Sequence, residues 1–128
     1  MGSRVSTLTV LVVEDEFLIR LTLAEALTDE GFRVIEAETG DEALAILRAD
    51  PSIRLLLTDI QLPGTLNGRD LAKTFRQSVP DLPVIFMTGA PQTGPEIRGS
   101  RHDVFIAKPY TLQEICDATK RLIGSPVA

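Results

Sequence analysis

A parallel β-sheet with helices on both faces is the fold class the sequence predicts, and three observations predict it. First, short apolar runs recur at residues 8–13, 32–37, 53–57, 84–87 and 104–107. The central one, Ile53 with Leu55-Leu56-Leu57, shows no alternation of apolar with polar residues, which marks a strand buried on both faces. Second, segments of helical spacing separate most of these runs, and strands alternating with helices imply right-handed βαβ units. Third, four of the runs lead into polar groups: Glu14 and Asp15, Asp59, Thr88, and Lys108. The carboxyl ends of strands are where an open α/β sheet places its ligands.

Each element follows from local signals. The β-branched run 8–13 ends in Glu14-Asp15-Glu16. The helix after it carries Ile19, Leu23, Ala26 and Leu27 on one stripe, with Arg20, Glu25 and Asp29 away from it, and Gly31 stops it. After the strand 32–37, Gly40-Asp41-Glu42 opens a helix through Ala43, Leu44 and Leu47 that Asp50-Pro51 ends. The central strand leads to Asp59, and Pro63-Gly64 turns the chain. Asn67 caps a helix carrying Leu71, Ala72 and Phe75 inward. Pro80-Asp81-Leu82-Pro83 is a turn before the fourth strand. Residues 91–103 hold Pro91, Gly94, Pro95 and Gly99, with Ile97 as their one large apolar side chain. A short helical turn or mobile loop is expected there in place of a full fourth helix. Thr111 caps a final helix with Leu112, Ile115, Cys116, Thr119, Leu122 and Ile123 on one face, and Gly124 ends it.

Composition excludes several classes. A chain of 128 residues fits one domain with a sizeable core. Hydrophobic residues at 44% and charged residues at 24% fit a folded domain rather than a disordered one. A net charge of -5 argues against a nucleic-acid surface. One cysteine precludes an internal disulfide and suits a reducing compartment. No run approaches the roughly 18 consecutive apolar residues of a membrane span, and the first nine residues do not read as a secretory signal.

The strand ends carry the chemistry. Asp59 by itself is an ordinary turn residue. With Glu14 and Asp15 at the same sheet edge, three carboxylates would repel one another in a partly buried cleft. A hard divalent cation relieves that, and Mg²⁺ takes oxygen ligands in octahedral geometry while keeping some waters. Lys108 and Thr88 add donors for an anion with oxygens to place, such as a phosphoryl group. The plainer reading of Lys108 is a salt bridge to one of the acids.

These residues resemble a family, the receiver domain of bacterial two-component response regulators. The likeness rests on Glu14-Asp15 after the first strand, Asp59 after the third, Pro63 four residues later, Thr88 after the fourth, and Lys108-Pro109 after the fifth. It covers about residues 7–124. The resemblance implies a flavodoxin-like fold with strand order 2-1-3-4-5 and a single receiver domain, residues 1–128, with no output domain. It implies that Asp59 accepts a phosphoryl group from a phosphohistidine on a sensor histidine kinase or histidine phosphotransfer protein. Glu14, Asp15, Asp59 and the backbone carbonyl of Gln61 match the Mg²⁺ ligands. Lys108 and Thr88 match the residues that contact phosphoryl oxygens, and Thr88 and Phe105 the switch positions. By the same resemblance the chain is a cytoplasmic signalling domain, monomeric or weakly dimeric, that switches binding of a downstream protein target. It assists its own phosphorylation and dephosphorylation without being an enzyme in the usual sense.

The chain also differs from the common family pattern. The loop 64–67 is one residue longer, Gly89 follows Thr88 where Ala is more usual, Phe105 lacks a hydroxyl, and Tyr110 stands where Phe often follows Lys-Pro. Two other functions fit parts of the sequence. A small Mg²⁺-dependent phosphohydrolase with an Asp nucleophile usually carries a second acid two residues on, where this chain has Gln61. A receiver-like adaptor that needs no phosphate would not require the complete acid set. His102 reads as a solvated loop residue, Cys116 as a small buried hydrophobe, and the scattered Arg and Lys residues as a solvated surface.

Overall fold

The computed structural model describes residues 7–89 and 102–126. Within them the strands are β1 (Thr9–Val13), β2 (Arg33–Ala37), β3 (Ile53–Asp59), β4 (Val84–Thr88) and β5 (Asp103–Ala107). The helices are α1 (Phe17–Asp29), α2 (Gly40–Ala49), α3 (Gly68–Phe75) and α4 (Leu112–Ile123). The strands form one sheet of order β2-β1-β3-β4-β5, every neighbouring pair parallel. This is the flavodoxin-like order that the family resemblance implies.

The sheet separates two cores. On one face Val10, Val12, Leu55, Leu57, Ile85 and Met87 pack against Leu23 and Leu27 of α1 and Ile115 and Ala118 of α4. On the other, Leu11, Val13, Leu56, Val84 and Phe86 meet Ala43 and Leu47 of α2 and Leu71 and Phe75 of α3. Successive side chains of a strand point to opposite faces. A strand between two helical layers therefore needs an apolar residue at every position, which is why the central runs do not alternate.

The helix ends are built as the sequence indicates, with one addition. Gly31, at φ 101°, ends α1 in a Schellman arrangement: Phe32 N–H donates to the Leu27 carbonyl (3.1 Å) and Gly31 N–H to that of Thr28 (2.9 Å). Asn67 accepts from Asp70 N–H (2.8 Å) to cap α3, and Thr111 with Glu114 forms a capping box on α4. Thr39, which the sequence reading passed over, caps α2 by accepting from Glu42 N–H at 3.1 Å.

Two basic residues correct the reading that Arg and Lys are all solvated. The buried face of α1 consists of Arg20, Leu23, Ala24 and Leu27, so Arg20 lies on the stripe rather than off it, while Ile19 and Ala26 are only partly buried. Arg76, just past α3, donates to the Leu82 carbonyl from Nε (3.0 Å) and Nη2 (2.7 Å) and pairs with Asp103. It staples α3 to the amino-terminal edge of β4 and β5. Of the segment 91–103, His102 is a turn residue and Asp103 opens β5. The expectation of a short helix or loop falls on 91–101, outside the described residues. His102 is half-buried beside Asp81, 3.4 Å away, rather than fully solvated. Cys116 is buried, as its place on α4 suggests.

Candidate functional site

At the carboxyl edge of the sheet, the ends of β1, β3, β4 and β5 bring together the polar residues singled out from the sequence. Asp59 is the last residue of β3 and is 3% exposed. Its carboxylate is 2.7 Å from Lys108 Nζ, just beyond β5. Glu14 and Asp15 follow β1, and each can offer an oxygen that lies, with one of Asp59, within 4.8 Å of the other two. Thr88 ends β4 and is buried, and its carbonyl accepts from Lys108 N–H at 2.8 Å, which ties the ends of β4 and β5 together. Gln61 stands in the loop leaving β3 with an exposed side chain. Phe105, in register with Phe86 on β4, stacks on that ring with centroids 5.0 Å apart and planes 20° apart.

Glu14 is the most constrained of the acids. Its N–H donates to the Ala37 carbonyl (3.1 Å), and its Oε2 accepts from Glu16 N–H (2.9 Å). The second oxygen, Oε1, is buried and has no hydrogen-bond partner among the described residues. A buried carboxylate oxygen left without a donor is costly. Burial, then the neighbouring Asp59, pushes the Glu14 carboxyl up to about 8, against the opposing bond from Glu16. Lys108 shows the complementary balance. Desolvation by itself would lower its pKa, but the Asp59 carboxylate outweighs it and the net shift is upward. Tyr110, half-buried nearby, is raised to about 12, chiefly by burial and then by Glu14 and Asp59.

This donor set suits a hard divalent cation: oxygens only, close together, one of them buried and unpartnered. A metal there would take the place of the proton that Glu14 otherwise retains. The consequence for pH is definite. Glu14 keeps its proton to about 8 in the folded protein, whereas an unfolded glutamate loses it near 4.3. The folded state then holds more protons throughout that interval, so stability falls as pH rises across it. This contribution is fully present below about pH 4.3 and is lost as the pH passes about 8. Thermal midpoints of the metal-free protein should decline over the window, and Glu14→Gln should flatten the decline. An unchanged slope in that variant would show that another group titrates.

The structure adds residues that sequence reasoning missed. Arg20 Nη1 donates to the Glu14 carbonyl at 2.8 Å. The signal was present, since Arg20, Leu23, Ala24 and Leu27 are spaced i, i+3, i+4, i+7. Thr58 Oγ1 donates to the Asp59 carbonyl at 2.8 Å. Gly68 opens α3 directly against that carbonyl: a Cβ there would lie 2.1 Å from the oxygen. The Arg69 guanidinium covers Phe105 and Phe86, 5.2 and 5.9 Å from the ring centroids. No local pattern in the sequence announces the contacts of Thr58, Gly68 and Arg69.

The doubly wound parallel sheet thus carries an acidic cluster, a hydroxyl and a lysine at the carboxyl ends of its strands. Residues 10–120 match the family described as the response regulator receiver domain, and the chain belongs to that family. It is 33% identical over 119 residues to the phosphate regulon transcriptional regulatory protein PhoB of Pseudomonas aeruginosa, a match covering 90% of this chain and 51% of PhoB. It is 30% identical over 116 residues to the response regulator receiver protein CpdR of Brucella abortus, covering 89% of this chain and 95% of CpdR. The crystal structure of a response regulator receiver protein from Sinorhizobium medicae superposes with a TM-score of 0.83 at 26% identity, covering 91% of this chain and 94% of that one. The chain thus spans about half of PhoB and nearly all of CpdR. Among the described residues, no helix is long and apolar enough to cross a membrane.

Proposed function

We propose that Asp59 is the phosphoacceptor of this receiver domain and that a phosphohistidine on a sensor histidine kinase or phosphotransfer protein supplies the group. The observation that carries the reading is the placement of Asp59. It is a buried carboxylate at the end of the central strand, paired with Lys108 and clustered with Glu14 and Asp15. An Asp59 oxygen attacks phosphorus in line with the imidazole nitrogen, the new O–P bond forms as the N–P bond breaks, and the leaving imidazole takes up a proton. Lys108 gives charge-assisted hydrogen bonds to the oxygens of the moving group. Glu14, Asp15, Asp59 and the Gln61 carbonyl would hold Mg²⁺, which when bound neutralises charge on the phosphoryl oxygens. Thr88 then hydrogen-bonds a phosphoryl oxygen, and Phe105, on the neighbouring strand β5 opposite Phe86, passes the change to the surface that meets a downstream protein. The chain works by binding partners from the cytoplasm, and its catalysis extends to its own phosphorylation and dephosphorylation.

Incubation with Mg²⁺ and a small phosphodonor tests this. The expected product is a slowly decaying acyl phosphate on Asp59. Steady turnover of the donor would identify a phosphohydrolase instead, and no labelling would identify a phosphate-independent adaptor.

The metal has its own test. A ligand present at ten times its Kd stabilises by about 1.4 kcal/mol, worth about 5 °C in a domain of this size. Titrated Mg²⁺ should raise the thermal midpoint by that amount, and the rise should vanish in a Glu14→Ala, Asp15→Ala double variant. Equal stabilisation of both proteins would place the metal elsewhere.

A further inference from the structure

We infer that Arg20 is a positioning residue for the acidic turn, holding Glu14 and Asp15 where a divalent cation can join them to Asp59. The inference rests on the Mg²⁺ reading above and assigns a task to a residue outside the ligand set. A guanidinium is seldom buried without partners that justify it. Arg20 is 7% exposed, on the inward face of α1. Nη1 donates to the Glu14 carbonyl at 2.8 Å, Nε to Glu36 Oε1 at 3.0 Å, and Nη1 also faces Glu38 Oε2 at 3.9 Å. The Phe17 ring lies over the guanidinium carbon at 5.5 Å. One planar fork therefore joins three pieces of chain: the turn after β1, the helix that follows it, and β2.

That fork completes the restraint on Glu14. Its N–H is held by Ala37 and its Oε2 by Glu16 N–H. Its carbonyl is held by Arg20, and its second carboxyl oxygen, Oε1, is left buried. Bringing all three acids together in the ionised form that binds a cation is opposed by like-charge repulsion until the cation is present. Arg20 counters that repulsion from behind. It pulls on the backbone and keeps its own charge engaged with Glu36, so it does not compete for the carboxylates. Partners one bond removed from a metal ligand fix its orientation, and losing one typically weakens metal binding by about 10- to 100-fold. Lysine cannot substitute, because an ammonium on a flexible stem lacks the planar fork that serves two acceptors at once.

The test is a calorimetric Mg²⁺ titration of the full chain, paired with phosphorylation rates across Mg²⁺ concentration. Arg20→Lys should raise the Mg²⁺ half-saturation by about 10-fold or more, while the rate at saturating Mg²⁺ stays near that of the unaltered protein. Glu36→Ala, which frees one side of the fork, should move the half-saturation the same way by less, and it decides the matter if Arg20→Lys does not fold. Arg76→Ala is the control. That residue also staples a buried carbonyl, but at the opposite edge of the sheet, so it should lower the thermal midpoint and leave the half-saturation in place. An unchanged half-saturation in both Arg20→Lys and Glu36→Ala overturns the inference by itself. Failure of the unaltered protein to bind Mg²⁺ overturns the metal reading and the inference with it.

Discussion

Asp59→Asn is expected to accept no phosphoryl group from any donor and to be slightly more stable than the parent. An amide oxygen in the same place is too weak a nucleophile, and neither of the other acids can replace it. Glu14 holds its proton to about 8 and already accepts from Glu16 N–H, and Asp15 is exposed, on the turn after β1. The stability change has two opposing parts. Removing the Asp59 charge from among three acids whose oxygens lie within 4.8 Å relieves repulsion and lets Glu14 ionise more easily. Against this, Lys108 loses its 2.7 Å partner. Lys108 is itself substantially exposed, and ion pairs of that kind are worth about 0–1 kcal/mol. Relief should therefore prevail, by on the order of 1 kcal/mol, the scale of a one-unit change in a carboxyl pKa. Mass measurement after treatment with a small phosphodonor, alongside a denaturation curve, reads both effects. A phosphorylated Asn variant would mean that the nucleophile lies elsewhere.

What was legible in the sequence follows the same division between local and tertiary causes. The apolar runs state their own burial, because a strand covered on both faces has no position free for a polar residue. Cap residues also announce themselves: Asn67 and Thr111 place helix starts, and Gly31 marks the end of α1. Strand order has no such local signature, and nothing in the runs themselves says that β1 lies between β2 and β3. That order came only with the joint spacing of Glu14-Asp15, Asp59, Thr88 and Lys108, which ties the chain to a family. Arg20 was misplaced because charge suggested solvent while spacing suggested the core, and spacing decided. Arg76 was missed because the carbonyl it holds, that of Leu82, belongs to a turn that no helical pattern reaches. The contacts of Thr58, Arg69 and Gly68 depend on which elements lie side by side, which only the folded chain specifies.

Gly68 carries the other large effect. It is the first residue of α3, and its N–H donates to the Ile60 carbonyl at 2.8 Å, so the helix begins almost on top of the strand end it follows. Its backbone needs no left-handed conformation; the requirement is space. A methyl group there would stand 2.1 Å from the Asp59 carbonyl oxygen and 3.1 Å from the Ile60 Cα. Both are backbone atoms, with no rotamer by which to retreat. The oxygen is also held on another side by the Thr58 hydroxyl at 2.8 Å. Either α3 slides outward, loosening Leu71 and Phe75 in their core, or the end of β3 shifts and takes the Asp59 carboxylate with it. Overpacking of this kind costs about 3 kcal/mol, and misplacing a reacting group by about 1 Å lowers rates about 100-fold. Gly68→Ala should accordingly unfold at lower denaturant and phosphorylate far more slowly even where it remains folded. Gly89→Ala is the useful contrast, because a Cβ there meets nothing within 4 Å among the described residues, and its midpoint should stay within about 0.5 kcal/mol of the parent. If Gly68→Ala matched the parent in both midpoint and rate, the close seat of α3 on the phosphoacceptor's own carbonyl would have no part in placing Asp59.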